Sequence, residues 1–192
     1  MIQELSYNDD IYVIGISEIS NTNGLGVNQL LELSNSYSKN ALAIQFFNSN
    51  MIANNLHLLS AAQNAINAWS GNYMIARSLD VEIIVYASAQ RQIHLALETM
   101  GVKDGLDTIT VVIIDQSEEN VTNVLADIFN EVGEEIQPPF LPSEEKISRL
   151  LKFFDIKEEE LRYFLTSNTP ADRTQALARC IASRVSLVAI GT

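Results

Sequence analysis

Two patterns of apolar and polar residues alternate along the chain. One predicts strands and the other predicts helices. Short apolar runs rich in Val and Ile, bounded by turn residues, are typical of buried strands. Four segments show this pattern: 11–19, 41–47, 81–87 and 108–115. Segments in which apolar residues recur every three or four positions predict helices between and after them. These are 27–37, 51–69, 90–100 and 119–132.

The chain changes character after the proline-rich linker QPPFLP at 137–142, where only helices are predicted. They span 143–154, 157–165 and 169–188. Thr169 is the expected N-cap of the last helix, with Pro170 in its first position; the last residues of this helix could alternatively form a short strand.

The order of elements predicts a mixed α/β (α+β) fold. We expect a sheet of about four strands covered by helices, followed by a helical C-terminal part. A chain of 192 residues is long enough for one domain with a proper core. We therefore expect a single domain over 1–192, which can be subdivided into an α/β core at 1–136 and a helical part at 143–192.

The predicted helix 51–69 lies in a segment, Ala41 to Ala76, that contains no charged residue. One side of the helix is strongly apolar and should face the sheet. The opposite side carries small or neutral residues such as His57 and Asn64, whereas a solvent-facing helix usually carries charge. Two interpretations fit: the C-terminal helices of the chain bury this side, or it forms a neutral surface for a partner or ligand.

Charge is distributed unevenly. The net charge is −12, and residues 1–140 contain only four bases: Lys39, Arg77, Arg91 and Lys103. A broad phosphate-binding surface is excluded by this scarcity, so any nucleic-acid contact must be small and local. The N-terminus has no secretory pattern, and Cys180 is the only cysteine, which excludes an intramolecular disulfide. We expect a cytoplasmic protein.

Known catalytic and cofactor motifs fit poorly. Gly24 and Gly26 in NGLGVNQ lack the third glycine of a dinucleotide-binding loop. His57 and His94 have no second ligand at metal-binding spacing that would complete a site. Cys180 lies in an apolar helix and is expected to be a core residue rather than a nucleophile. We therefore predict no catalytic, metal or cofactor site.

The start of the helix 90–100 is the most distinctive local feature. Arg91 and His94 lie on the helix side opposite the apolar stripe, which we assign to Ala89, Ile93, Ala96, Leu97 and Met100. An arginine beside a helix N-terminus favours an anion, because its charge adds to that of the free backbone amides. The alternative is that Arg91 only offsets the acidic surface.

Four elements in residues 56–102 occur in an order that resembles a known family. They are the Ala-rich helix with HLLSAAQNA, the step IARSLD, the segment EIIVY and the helix RQI…AL…GV; the C-terminal LARCIASRVSLVAI adds a similar tail. Together they resemble the small kinase-binding subunit of the KEOPS complex, the Cgi/TPRKB family. The likeness is strongest in the middle quarter of the chain.

This resemblance implies a protein without enzymatic activity. Such subunits bind and activate the small atypical kinase/ATPase of KEOPS, contact the other subunits through it, and help to hold the tRNA 3′ CCA end. The complex makes threonylcarbamoyladenosine at tRNA position 37. We predict that tRNA is contacted by Arg77, Arg91, Gln92 and His94. We predict that the kinase is contacted by Leu95, Leu187, Val188 and Ile190.

Two other functions remain open from the sequence. The chain could be a small-molecule-binding α/β domain or enzyme, with a pocket where strands 81–87 and 108–115 end and with Asp115 or His94 as acid or base. It could also be an oligomerisation module that uses the neutral helix 51–69.

Overall fold

A four-stranded antiparallel sheet forms the centre of the molecule. The computed structural model describes residues 1–190. The strands are β1 (Ile2–Tyr7), β2 (Asp10–Ser20), β3 (Ala43–Asn48) and β4 (Thr108–Asp115). Their order is β1-β2-β4-β3, so β1 and β3 are the edges. The predicted fold class, a mixed αβ protein with a four-stranded sheet and a helical C-terminal part, is confirmed.

Helices follow and separate the strands. They are α1 (Val27–Ser36), α2 (Asn55–Ser70), α3 (Leu79–Ser88), α4 (Ile93–Met100), α5 (Glu118–Val132), α6 (Glu144–Phe153), α7 (Glu158–Leu161) and α8 (Pro170–Leu187). Short 3-10 helices occupy Ser49–Met51 and Val188–Ile190. Within residues 1–190, no helix combines the length and apolarity that a membrane crossing requires.

Both faces of the sheet are buried, which explains why its central strands are apolar almost throughout. One face, with Ile14 of β2 paired to Ile114 of β4, belongs to the apolar cluster that contains α2, α3 and α8. The other face packs against α1 and α5. Gly15 permits the close approach of α5, because a Cβ atom there would lie 2.6 Å from a methyl carbon of Val121.

The prediction of a strand at 81–87 is wrong: these residues belong to helix α3. Helix α3 is packed against α2, α4, α8 and β3, and all but two of its residues are buried. Burial on nearly every side removes the polar positions from which a helical period is recognised, and a short apolar run is then read as a strand. The acidic first turn, with Asp80 and Glu82, was the remaining helical signal.

The fourth strand of the sheet is β1, which the sequence prediction missed, and not the segment 81–87. As an edge strand it buries only Leu5, so its apolar signal is weak. It pairs with β2 through a turn at Asn8 and Asp9, in which Asn8 has a φ of 53°. An Asx-rich two-residue connection between two alternating segments is a hairpin signal that the prediction did not use.

Helix α2 is the central helix, and the chain itself covers both of its sides. Every one of its residues is buried or half-buried, because α3 and α8 pack on the sides that the sheet leaves free. The first of the two sequence interpretations is therefore correct, and an oligomerisation surface on helix 51–69 loses its basis. The helix begins at Asn55 rather than at residue 51, since the side chain of Asn54 caps it by accepting the His57 N–H.

The C-terminal part contains the three predicted helices, but the second is the single turn Glu158–Leu161 rather than a helix over 157–165. Thr169 caps α8 by accepting the Asp172 N–H, and Pro170 is the first helical residue. Residues 188–190 form a 3-10 helix rather than a strand. One apolar cluster contains Ile14 from the sheet together with Ile147 of α6 and Leu177 of α8. The single-domain assignment over 1–192 stays a prediction from the sequence.

His57 connects α2 to the end of α3. It is fully buried, its Nε2 lies 2.8 Å from the carbonyl oxygen of Ala87, and its Nδ1 faces the N–H of Ala53. The Phe154 ring contacts its edge. These partners fit a neutral imidazole with the proton on Nε2. Burial lowers the pKa of His57 from 6.5 to about 4.

Folding stability should therefore depend on pH through His57. The unfolded chain binds a proton below about pH 6.5 while the folded chain does not, so the stabilisation is complete above pH 6.5 and is lost as pH falls towards 4. We expect a loss of about 3 kcal/mol over this window. Urea unfolding of the wild type and of His57→Gln at a series of pH values measures it.

The matched control is His94→Gln, which changes an exposed histidine. This variant should keep the wild-type pH dependence, whereas His57→Gln should have a flatter one between pH 6.5 and 4. Parallel curves for the wild type and His57→Gln would contradict the assignment.

Candidate functional site

A cleft opens where the ends of α3, α6 and α8 meet. Its volume is about 280 Å³. We call it the C-terminal cleft and define it by the residues that line it, Ala89, Gln90, Arg91, Phe153, Phe154, Asp155, Arg184, Leu187 and Val188. It combines two arginines and one aspartate with two phenylalanine rings and an aliphatic wall, and it therefore offers charge and apolar contact in the same place.

Arg91 lies at the mouth of the C-terminal cleft because helix α3 ends just before it. Ala89 adopts a left-handed conformation with a φ of 52° and turns the chain out of α3. The Arg91 guanidinium then donates a hydrogen bond to the carbonyl oxygen of Val188. This bond attaches the segment before α4 to the C-terminal 3-10 turn.

Gln92 and His94 lie beside Arg91, as predicted. Gln92 is the N-cap of α4 and His94 is in its first turn, and both are exposed. The side chain of Gln92 does not cap the helix, so the first N–H groups of α4 have no side-chain acceptor at this position. Positive partial charge at this helix terminus adds to the charge of Arg91. Three of the four predicted tRNA contacts thus form one group.

Arg77 is separated from this group by the whole of α3, about 15 Å of helix. It is exposed on the loop between α2 and α3. The buried carboxylate of Glu82 holds this loop by accepting the N–H groups of Ile75, at 3.1 Å, and Ala76, at 2.6 Å. Arg77 therefore has a defined position, but at the other end of α3.

Phe153 and Arg184 were missed as site residues. Phe153 is half-buried at the end of α6, where its ring meets the edge of Phe154 at 4.8 Å between centroids. Arg184 of α8 pairs with Glu160 at 2.7 Å. Both are far from Arg91 in sequence and come close to it only through packing of the C-terminal helices. A single sequence carries no local signal for such a contact.

The predicted kinase contacts differ in exposure. Leu187 is 46% exposed and Ile190 is 72% exposed, whereas Val188 between them is 4% exposed and completes the core. Leu95 is half-buried. Leu97, which the sequence placed in the core stripe of α4, is instead 42% exposed. Exposed apolar side chains therefore lie on both α4 and the end of α8.

The structure does not contain the pocket on which the alternative small-molecule site was based. It required two strands that end side by side, but 81–87 is helical. Asp115 does end strand β4, yet its carboxylate accepts the Ser117 N–H and the Asn120 side-chain amide at the start of α5. Cys180 is buried, and burial raises the pKa of its thiol. Within residues 1–190, no three His, Cys, Asp or Glu side chains are grouped to hold a metal ion.

Comparison with known proteins gives two findings. Residues 17–189 match the family described as "Kinase binding protein CGI-121". A protein of Methanocaldococcus jannaschii named "Regulatory protein Cgi121" is similar to this chain, with 35% identity over 111 residues, which are 58% of this chain and 68% of the relative. The family match begins within β2 and includes every strand and helix from α1 to α8. The chain therefore belongs to the CGI-121 family of kinase-binding proteins.

Proposed function

We propose that this protein is a non-catalytic, cytoplasmic subunit of the KEOPS complex. It binds and activates the small atypical kinase/ATPase subunit, reaches the other subunits through that kinase, and helps to hold the tRNA 3′ CCA end during threonylcarbamoyladenosine synthesis. The main support is that a chain of a kinase-binding family presents exposed apolar residues at a small cleft that contains the side chain of Arg91.

The kinase contact is assigned to the exposed side chains of Leu187 and Ile190, and Leu97 and Leu95 of α4 are further candidates. Stable subunit interfaces have an apolar centre and a polar rim. Val188 contributes indirectly, because its buried side chain anchors the turn on which Leu187 and Ile190 are exposed. The hydrogen bond from Arg91 to the Val188 carbonyl brings α4 and this turn together.

The tRNA contact is assigned to the C-terminal cleft. A single-stranded RNA end is held by stacking on aromatic rings and by a few phosphate contacts. Phe153 offers a ring, while Arg91, with Gln92 and His94 beside it, offers donors and positive charge. The small number of bases suits a short single-stranded segment better than a duplex. Arg77 can act only as a separate contact at the other end of α3.

Kinase binding should depend on the two exposed C-terminal residues. Leu187→Asp combined with Ile190→Asp should raise the Kd for the KEOPS kinase at least about tenfold, because each buried aliphatic side chain contributes about 1.5–3 kcal/mol. Isothermal titration calorimetry with the purified kinase measures this. Point variants are preferable to truncation, since Val188 belongs to the core.

Leu141→Asp is the matched control, because Leu141 is an exposed leucine at a different site. It should bind the kinase like the wild type. An unchanged Kd for the double variant, with the fold intact by circular dichroism, would refute the assignment of Leu187 and Ile190.

tRNA binding by the assembled complex should depend on the aromatic wall of the C-terminal cleft. Phe153→Leu keeps an apolar side chain against Phe154 but removes the stacking surface. We expect a rise in Kd of about tenfold, in line with about 1–3 kcal/mol for one stacked base. The loss should vanish with tRNA that lacks its CCA end, and gel-shift titration of both tRNAs measures the difference.

Charge variants complete this test. Arg91→Glu should weaken tRNA binding and reduce its salt dependence. Arg77→Glu should weaken tRNA binding only if the tRNA also contacts the other end of α3. The control is Lys39→Glu, which makes the same change of charge in the loop between α1 and β3 and should bind tRNA like the wild type. If Phe153→Leu weakens binding equally for tRNA with and without CCA, the C-terminal cleft is not the site of the 3′ end.

A further inference from the structure

A second concave region lies at the opposite end of α2, between the β1–β2 hairpin and the C-terminus of this helix. Its volume is about 510 Å³. Aromatic rings form its floor and walls: Tyr7, Tyr12 and Trp69. We call it the aromatic pocket. Asn8, Asp10 and Asn72 complete its rim.

The rings of the aromatic pocket are held in defined orientations. Tyr12 and Trp69 meet edge to face, with 6.0 Å between their centroids and 71° between their planes. The Tyr12 hydroxyl lies 3.2 Å from the hydroxyl of Ser70, within hydrogen-bond distance. Tyr12 is buried, whereas Tyr7 and Trp69 are half-buried and keep part of their ring surface accessible. A pre-oriented set of ring surfaces can receive a ligand at low entropic cost.

Negative charge adjoins these rings. Asp10 at the start of β2 is exposed and lines the aromatic pocket, and Asp9, exposed in the hairpin turn, directly precedes it. Arg77, exposed on the loop between α2 and α3, is a base at this end of the helix pair, but it does not line the aromatic pocket. Lys39 follows α1 near the β3 edge, whereas the aromatic pocket is at the β1 edge. Aromatic faces next to carboxylates attract an organic cation through the ring quadrupole and through Coulomb attraction.

The edge of β1 adjoins the aromatic pocket, because Tyr7 at the end of this strand lines it. β1 pairs only with β2, so its outer backbone groups have no strand partner; one of them, the carbonyl of Ser6, accepts a hydrogen bond from the side-chain amide of Gln63. Exposed edges of this kind accept an added strand from another chain, with side-chain pockets for specificity. An extended peptide along β1 would therefore bring its side chains to the aromatic pocket.

We propose that the aromatic pocket and the adjoining β1 edge bind an extended, basic segment of a partner protein, with a Lys or Arg side chain inserted between Tyr7 and Trp69 and its charge facing Asp10. This surface is separate from the C-terminal cleft. His57 near the start of α2 contacts Ala87 near the C-terminal cleft, whereas Trp69 is near the other end of this helix, which is about 24 Å long.

Trp69 is the only tryptophan, so its fluorescence reports on the aromatic pocket directly. The full chain is titrated with a short N-acetylated, C-amidated peptide in which Lys alternates with Thr. We expect a saturable change in emission that weakens with added salt. Peptides with Gln or Glu in place of Lys should give no saturable change.

Variants that keep Trp69 test the two kinds of contact. Asp10→Asn and Tyr7→Leu should each raise the Kd roughly fivefold, the size expected for one cation–π contact or one partly exposed ion pair. The matched controls are Glu32→Gln on α1 and Tyr163→Leu, which change an exposed acid and an exposed tyrosine elsewhere. Both should bind the Lys peptide like the wild type.

Three outcomes would overturn the proposal. The first is the absence of a saturable response to the Lys peptide, and the second is an equal response to the Gln peptide. The third is self-association in sedimentation that Tyr7→Leu abolishes, because the occupant would then be a second copy of this chain. Circular dichroism and thermal melting of each variant exclude loss of the fold as the cause of weak binding.

Discussion

The packing of the uncharged helix α2 between the sheet, α3 and α8 is the constraint on which the rest of this structure depends. A helix can be covered on all sides only if it carries no charge that needs water, and α2 carries none. Its alanines, including Ala61, Ala65 and Ala68, are fully buried and keep its surface narrow, so that neighbouring helices come close. Its one titratable group is His57, whose two ring nitrogens have backbone partners: the N–H of Ala53, just before α2, and the carbonyl oxygen of Ala87 in α3.

This arrangement also separates two kinds of surface. Helices α2 and α3 run side by side in opposite directions, so each end of the pair carries different residues. At one end, Arg91, Phe153 and the exposed Leu187 line the C-terminal cleft. At the other end, Trp69 and Asp10 belong to the aromatic pocket. A small adaptor protein with rigid helices can in this way hold two partners apart at a fixed distance.

The sequence predicted those features whose cause is local. Strands β2 and β4 were recognised because they are long and apolar, and the start of α8 because Thr169 and Pro170 act within one turn. Helix α3 was misread because burial on nearly all sides hides its period. Arg91, Gln92 and His94 were found together because they are neighbours along the chain. Phe153 could not be found, since only the packing of α6 and α8 brings it to the cleft.

The bond between Arg91 and the carbonyl oxygen of Val188 has a consequence for how this end of the molecule can vary. A backbone oxygen is present whatever residue occupies position 188, so this bond requires only a suitable donor at 91, while the buried side chain of Val188 separately anchors the turn in the core. Neither of these two contacts uses the exposed side chains of Leu187 and Ile190, which can therefore change without loss of the fold. The protein could adapt to a divergent partner at these positions without rebuilding the support beneath them.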